Sequence, residues 1–292
     1  YRGFESRLLR QIMWIDTHCH LDAPEFSGDY AQVRTQAAAN NVAHCIIPAV
    51  HPDTFGITRK LAHELNDSYA LGIHPLYVKN TDERALQILD DELTKHANDV
   101  RLVAVGEIGL DFFVPELCQQ PLREKQIYFY REQLKLAKKH GLPVIVHMRH
   151  SADQLLKGLR DIGGPEFQWH GIIHAFNGSD QQAAQFVKLG FKLGFGGAVT
   201  FERALQIRHL LQSLPLEAIV LETDAPDMPP QWLYKTMAER QAGAMQGRNT
   251  PSELARIANI IAELRGIEIE TLSHACWLNA CQALPKITTL LN

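Results

Sequence analysis

A recurrence constrains the fold more than any other feature of this 292-residue chain. An apolar, β-branched run followed by a stretch of helical periodicity returns about every 25–40 residues. The runs cover 13–18, 45–50, 69–73, 102–107, 144–147, 171–174, 191–195 and 219–222. Most are apolar without a break, as expected of strands covered by helices. The amphipathic stretches between and after them cover 30–40, 52–65, 82–96, 123–140, 152–159, 180–189, 201–214 and 252–264. Gly141 is a natural stop for the fourth, and Ser179 ahead of Asp180 offers a cap for the sixth. Eight such units over about 250 residues predict an α/β fold, the (β/α)8 barrel. An open doubly wound sheet is the alternative, but it wants a glycine-rich phosphate loop after the first strand. His18-Cys19-His20 stands there instead.

Residues 269–290 remain beyond the eighth unit and predict an extra C-terminal helix or two, packed on the outside. No linker rich in Pro, Gly or Ser interrupts the pattern, so 13–292 reads as a single domain. Residues 1–12 carry four charged side chains and lack the apolar core of a signal peptide. They read as a disordered extension ahead of Met13, the expected natural start. The five cysteines form no C-x-x-C pair, which predicts reduced thiols in a cytoplasmic protein. No run is long and apolar enough for a membrane span. A monomer is the default expectation.

Chemistry gathers where the apolar runs end. The first ends in His18 and His20, which on a strand project to one face. The fourth ends in Glu107, the fifth in His147, the sixth in His174, and the eighth in Glu222 and Asp224. In a barrel these ends form one ring, on the face where such folds keep their sites. A carboxylate at the end of an apolar strand is expensive to bury unpaired. Neutral imidazoles mixed with carboxylates are most readily satisfied by a divalent metal. The competing reading is a hydrogen-bonded polar plug. His74 ends the third run, either facing the same rim or serving as a turn residue fixed by Pro75. Asp16 and Asp111 read as loop, structural or supporting residues. Arg149 and Arg203 lie just past strands and are candidate phosphate contacts. Phe112, Phe113, Phe176 and Phe201 also follow strand ends, where packing competes with base stacking.

Six strings carry a family resemblance: Asp16-Thr17-His18-Cys19-His20, Leu71-Gly72-Ile73-His74-Pro75, Val105-Gly106-Glu107-Ile108-Gly109-Leu110-Asp111, Leu142-Pro143-Val144-Ile145-Val146-His147, His174-Ala175-Phe176 and Leu221-Glu222-Thr223-Asp224-Ala225-Pro226. Arg248-Asn249 with Pro251 precedes the last barrel helix. In these the sequence resembles the TatD family of metal-dependent hydrolases. Asn177-Gly178 departs from the Ser-Gly often found there. The resemblance implies two divalent metal ions, magnesium, manganese or zinc. His18, His20 and Asp224 would hold the first, His147 and His174 the second, and Glu107 would bridge them. It implies hydrolysis of phosphodiester bonds in DNA, as a 3′ to 5′ exonuclease on single strands or 3′ ends. Asp224 would orient the nucleophile and accept its proton. His74 would bind the substrate phosphate or protonate the leaving group. Glu222, Arg149 and Asn249 are the candidates for orienting ligands or contacting substrate. With a net charge of -4, attraction to a polyanion must come from the site itself. The alternative function is a small-molecule amide or ester hydrolase on the same barrel, where a carboxylated lysine on the fourth strand often bridges the metals. No lysine lies in 102–107. A third reading is a non-enzymatic metal- or nucleic-acid-binding protein.

Overall fold

The computed structural model describes residues 12–291. The expected extension, except for Ile12, lies outside the described residues, as does Asn292. Eight strands form: β1 Trp14–Asp16, β2 Val42–Pro48, β3 Ser68–Leu71, β4 Leu102–Asp111, β5 Val144–Arg149, β6 Gly171–His174, β7 Phe191–Phe195 and β8 Ile219–Leu221. They lie in sequence order in one sheet, and the ladders from β1 to β8 are all parallel. Helices α1 Tyr30–Ala39, α2 Phe55–Glu64, α3 Arg84–Lys95, α4 Leu122–His140, α5 Ala152–Gly163, α6 Asp180–Lys188 and α7 Leu205–Ser213 follow the first seven strands. After β8 come the short α8 Met237–Gln241, the eighth barrel helix α9 Leu254–Arg265, and α10 Ile269–Ala283 with α11 Thr288–Leu291. This is the (β/α)8 barrel that the recurrence predicts.

Polar side chains close the seam between β8 and β1. The Thr17 amide and hydroxyl both donate to the Leu221 carbonyl at 3.0 Å. Asp16 accepts from the Thr223 amide at 3.0 Å and its hydroxyl at 2.6 Å. The Asp224 amide donates to the His18 carbonyl at 2.9 Å.

Inside the barrel, Ile15, Ile46, Ala70, Ala104, Ile145, Ile172 and Val220 form one buried cluster with Trp277, Ala280 and Ile287. The C-terminal helix therefore does more than coat the outside. Ser273 exchanges hydrogen bonds with Met13 at 3.1 and 2.8 Å, and Asn279 donates to the Leu216 and Ile219 carbonyls at 2.8 Å. These contacts lie where β1 and β8 begin, so α10 stoppers the barrel at the end opposite the site.

Several boundaries differ from the sequence pattern, and two of them shape the open end of the barrel. β4 runs past Glu107 to Asp111, because its pairing with β5 shifts between Val105 and Ile108 and then resumes as far as Asp111↔Arg149. The irregularity sits at Gly106-Glu107. The helix expected over 201–214 begins at Leu205. Residues Gly197–Thr200 form a 3-10 turn, and Thr200 is tied through its hydroxyl to Gly197 and Gln231.

Candidate metal centre

The inner apolar cluster positions the site. A strand alternates its side chains, so the residue two places on shares a face. Ile145 precedes His147, Ile172 precedes His174, and Val220 precedes Glu222. On these three strands each apolar side chain of the stoppered end thus has a polar counterpart at the open end. Glu107 is placed by the irregularity in β4, the kind of local kink that re-aims a side chain. Glycine allows the close approach there. A Cβ on Gly72 would stand 2.6 Å from the Gly106 carbonyl carbon. Asp224 lies just beyond β8 in the left-handed region, at φ 56°, a conformation that Asp tolerates better than most residues.

Glu107 is 2% exposed and surrounded by imidazoles. Its Oε2 is 3.1 Å from His18 Nε2 and 3.5 Å from His20 Nε2. Its Oε1 is 2.9 Å from His147 Nδ1 and 3.3 Å from His74 Nε2. Asp224 Oδ1 lies 3.7 Å from His18 Nε2 and 3.6 Å from His20 Nε2, while its Oδ2 lies 3.5 Å from His174 Nε2. The rings of His18 and His174 stack at 3.7 Å. The ligand-type atoms fall into three overlapping groups: His18, His20 and Asp224; His18, Glu107 and His174; His74, Glu107 and His147.

The charge balance calls for a cation. Burial alone would raise the Glu107 carboxyl, but the surrounding imidazoles outweigh it and hold the group well below the usual range. Asp224 is lowered in the same way, with His174, His18 and His20 overcoming burial. Burial opposes a proton on His20, yet hydrogen bonding to Glu107 and the Asp224 charge push it up to about 9. Burial and the charge of His174 lower His18. Without a metal, protonated imidazoles supply the positive charge.

The donor set fits a divalent ion. His18 Nε2 and His20 Nε2 face each other at 3.2 Å, and both point at carboxylate oxygens. Four ligands about 2.1 Å from a tetrahedrally held ion stand about 3.4 Å apart. Five separations among His18, His20, Glu107 and Asp224 are 3.1, 3.2, 3.5, 3.6 and 3.7 Å. His74 differs from the other imidazoles. Its Nδ1 accepts the Leu76 amide at 3.2 Å, so the neutral ring carries its proton on Nε2, towards Glu107. Burial lowers this His to about 4, which keeps it neutral near pH 7.

Around this centre, Glu222 Oε1 accepts the Ala175 amide at 2.6 Å and lies 3.0 Å from His174 Nδ1. Gly194 makes room for it, since a Cβ there would sit 2.2 Å from Glu222 Oε2. Asp111, fully buried, accepts the Phe113 and Val114 amides at 2.8 and 3.0 Å. Its other oxygen has no hydrogen-bond partner and faces His147 Nε2 at 3.5 Å and Arg149 Nη1 at 3.8 Å. Asn249 does not reach Glu222. Its amide donates to the Thr223 and Asp227 carbonyls at 2.8 Å, fastening the loop after β8. Phe176 is buried and Phe201 packs edge-on against Tyr234 at 5.4 Å, while Phe113 is exposed.

Two residues escaped the sequence reading. Gln133 brackets Ile73 beside His74, accepting its amide at 2.7 Å and donating to its carbonyl at 3.1 Å. Gln126 accepts the Asp111 amide at 2.9 Å and donates to Leu117 at 2.8 Å. Both lie on the buried face of α4 with Phe129, Tyr130 and Leu134. A glutamine repeated seven residues apart on an apolar stripe was the available signal.

Four ligand-grade imidazoles and two carboxylates at the open end of a parallel barrel define a hydrolase of the metal-dependent class. Within that class the chain belongs to the TatD related DNase family, whose model matches residues 15–285. It is 39% identical to the uncharacterized metal-dependent hydrolase YjjV of Escherichia coli K12, over 90% of this chain and 94% of that one. It is 30% identical to the human deoxyribonuclease TATDN3, over 95% and 96% of the two chains. The crystal structure of the YjjV TatD homolog from E. coli superposes with a TM-score of 0.82 at 37% identity, covering 93% of this chain and 98% of that one. Among the described residues no helix is long and apolar enough to cross a membrane.

Proposed function

We propose that the protein hydrolyses phosphodiester bonds of DNA, removing nucleotides from the 3′ end of single strands. His18, His20 and Asp224 would hold one divalent ion and His147 and His174 a second, with Glu107 available to both. The observation that carries this reading is the orientation of Glu107. One carboxylate oxygen faces His18 and His20 at 3.1 and 3.5 Å, and the other faces His147 and His74 at 2.9 and 3.3 Å. When bound, such ions supply Lewis acidity and make hydroxide available near neutral pH. Imidazole with carboxylate suits zinc or manganese better than magnesium.

The remaining steps belong to the chain. Asp224, ionised and at the edge of the cluster, accepts the proton of the attacking water. His74 presents its Nε2–H to a phosphate oxygen or to the departing oxygen, its ring fixed by the Leu76 amide. Glu222 holds the His174 ring through Nδ1, which leaves Nε2 facing the cluster. Five unpaired cysteines fit the reducing cytoplasm, where we place the reaction. The names of relatives such as deoxyribonuclease TATDN3 support DNA as the substrate.

The test begins with chelator-stripped protein, restored with magnesium, manganese or zinc. Each form meets 3′-labelled and 5′-labelled single-stranded DNA and RNA of the same sequence. Metal-dependent shortening from the 3′ end of the DNA is expected. Glu107→Gln is expected to lower the rate by at least about 10²-fold, in the range seen when an electrostatic group is lost from a reaction centre. Stoichiometric metal binding without cleavage would overturn the nuclease reading and favour an amide or carboxylic ester as substrate.

A further inference from the structure

We infer that Arg123 and Arg149 form a phosphate-binding track leading single-stranded DNA away from the metal cluster; the inference rests on the phosphodiesterase reading above. The two arginines meet consecutive rings just past β4. The Arg149 guanidinium carbon stands 3.8 Å from the Phe113 ring centre, and that of Arg123 stands 3.9 Å from Phe112. A guanidinium at that distance uses its face for stacking and keeps its N–H edge for a ligand. Stacking fixes its orientation without neutralising it.

Three other arginines of this barrel are neutralised by a carboxylate, whereas Arg256 on α9 stacks on the Trp232 ring at 3.9 Å as an isolated pair away from the β4–β5 end. Arg34 meets Asp67 at 2.6 Å, Arg131 meets Asp161 at 2.8 Å and Arg248 meets Asp29 at 2.6 Å. Among the described residues Arg123 has no ion-pair partner and no side-chain hydrogen bond, and the carboxylate nearest Arg149 is Asp111, at 3.8 Å. Phe113 is 50% exposed, with the ring of His150 edge-on to it at 5.3 Å and the Arg149 guanidinium over its face. A half-exposed phenyl ring under a guanidinium whose one carboxylate neighbour stands as far off as 3.8 Å is suited to stacking on a base.

The Arg123–Phe112 stack lines a cavity, and Asp111 joins the Arg149–Phe113 stack to the cluster. A recess of about 370 Å³ is lined by Phe112, Arg123, Met148, His150, Asn177 and Asp153, the last accepting a hydrogen bond from Gln182 at 2.9 Å, at the small end of the size range of ligand pockets. Its lining joins the ends of β4, β5 and β6. Asp111 links Arg149 to the centre, lying 3.8 Å from Arg149 Nη1 and 3.5 Å from His147 Nε2. The chain as a whole carries -4, so cations on the β4–β5 side must hold the strand.

The probes are fluorescein-labelled octathymidylate, an eight-phosphate-scale single strand, and bis(4-nitrophenyl) phosphate, a phosphodiester with no neighbouring phosphate. Binding of the labelled strand is followed by anisotropy on chelator-treated protein across a salt series, and hydrolysis of both esters on metal-loaded protein. Arg123→Gln and Arg149→Gln are each expected to weaken strand binding about tenfold or more. The slope of log affinity against log salt should fall by about 0.7 for each lost phosphate contact. Arg123→Lys should keep the slope and lose the affinity, because charge survives and the planar stack does not. The ratio of strand to small-ester hydrolysis should fall with strand binding. Unchanged affinity and slope in both glutamine variants would overturn the track, as would equal losses on the two esters with an unchanged slope. Should the unaltered protein cleave neither ester yet bind the strand with this arginine dependence, the track stands and the phosphodiesterase reading falls.

Discussion

Single residues divide into those whose role follows from the strand they end and those whose role depends on a distant partner. His18, His20, Glu107, His147, His174 and Asp224 belong to the first kind. Each closes an apolar run, and a ligand-type side chain there has few other uses. Asp111 belongs to the second. It lies one strand away from the His147 ring it faces, and nothing in its neighbourhood along the chain marks that pairing. We expect Asp111→Asn to leave the Phe113 and Val114 amides bonded, and so to preserve the fold. The His147 ring loses a charged neighbour 3.5 Å from Nε2. Calorimetric titration with zinc or manganese should then show one binding step weakened by about 10–100-fold, as when a group behind a metal ligand is removed. Two unaltered steps would show that Asp111 serves its loop alone. Glu222 was legible as a candidate for orienting a ligand, but the imidazole it would face was not. Its 3.0 Å approach to His174 depends on the empty space that Gly194 leaves, which no local pattern announces.

At the level of elements, the strands were readable because burial on both faces leaves continuous apolar runs, and most of the helices because they show one apolar stripe, the Ala-rich α1 being an exception. Boundaries were less so. β4 continues past Glu107 because a paired neighbour, β5, takes up the ladder after the shift, and α7 starts late because Thr200 binds Gln231 across the loop. The least legible element property is the work of α4, which holds the loops after β3 and β4 through two buried glutamines. Gln133→Leu keeps the bulk of the side chain but strands the Ile73 amide and carbonyl. A loss of about 1–3 kcal/mol is expected from leaving such groups unpaired, read by denaturant unfolding. Because Ile73 precedes His74, the Michaelis constant for a phosphodiester should rise more than the turnover number falls. A variant as stable as the parent would remove α4 from the positioning of His74.

Across the whole molecule, acid sensitivity has a source far from the metal centre. His44 is buried between Ser68, at 2.8 Å, and Asp67, at 3.7 Å, and Asp67 is gripped by Arg34 at 2.6 Å. Burial, with Arg34 and Arg101 nearby, lowers His44 from 6.5 to about 3. The unfolded chain therefore binds more protons than the folded one between those values, and stability is lost as pH falls below about 6.5. Each unit of difference is worth about 1.4 kcal/mol, so the full window carries several. We expect His44→Gln to flatten the decline in unfolding free energy between pH 7 and 5 by up to one proton's slope. Parallel curves for the two proteins would place the acid sensitivity elsewhere. The seam between β1 and β8 has a consequence of another kind, in time. The proposed first ion takes two ligands from residues 18 and 20 and the third from residue 224, and the same segments hold the barrel shut. During synthesis the His-x-His pair leaves the ribosome more than two hundred residues ahead of its carboxylate partner. Capture of that proposed ion would thus be a late event, available only to a chain whose last strand has arrived, and a nascent polypeptide would be kept from acting as a hydrolase until then.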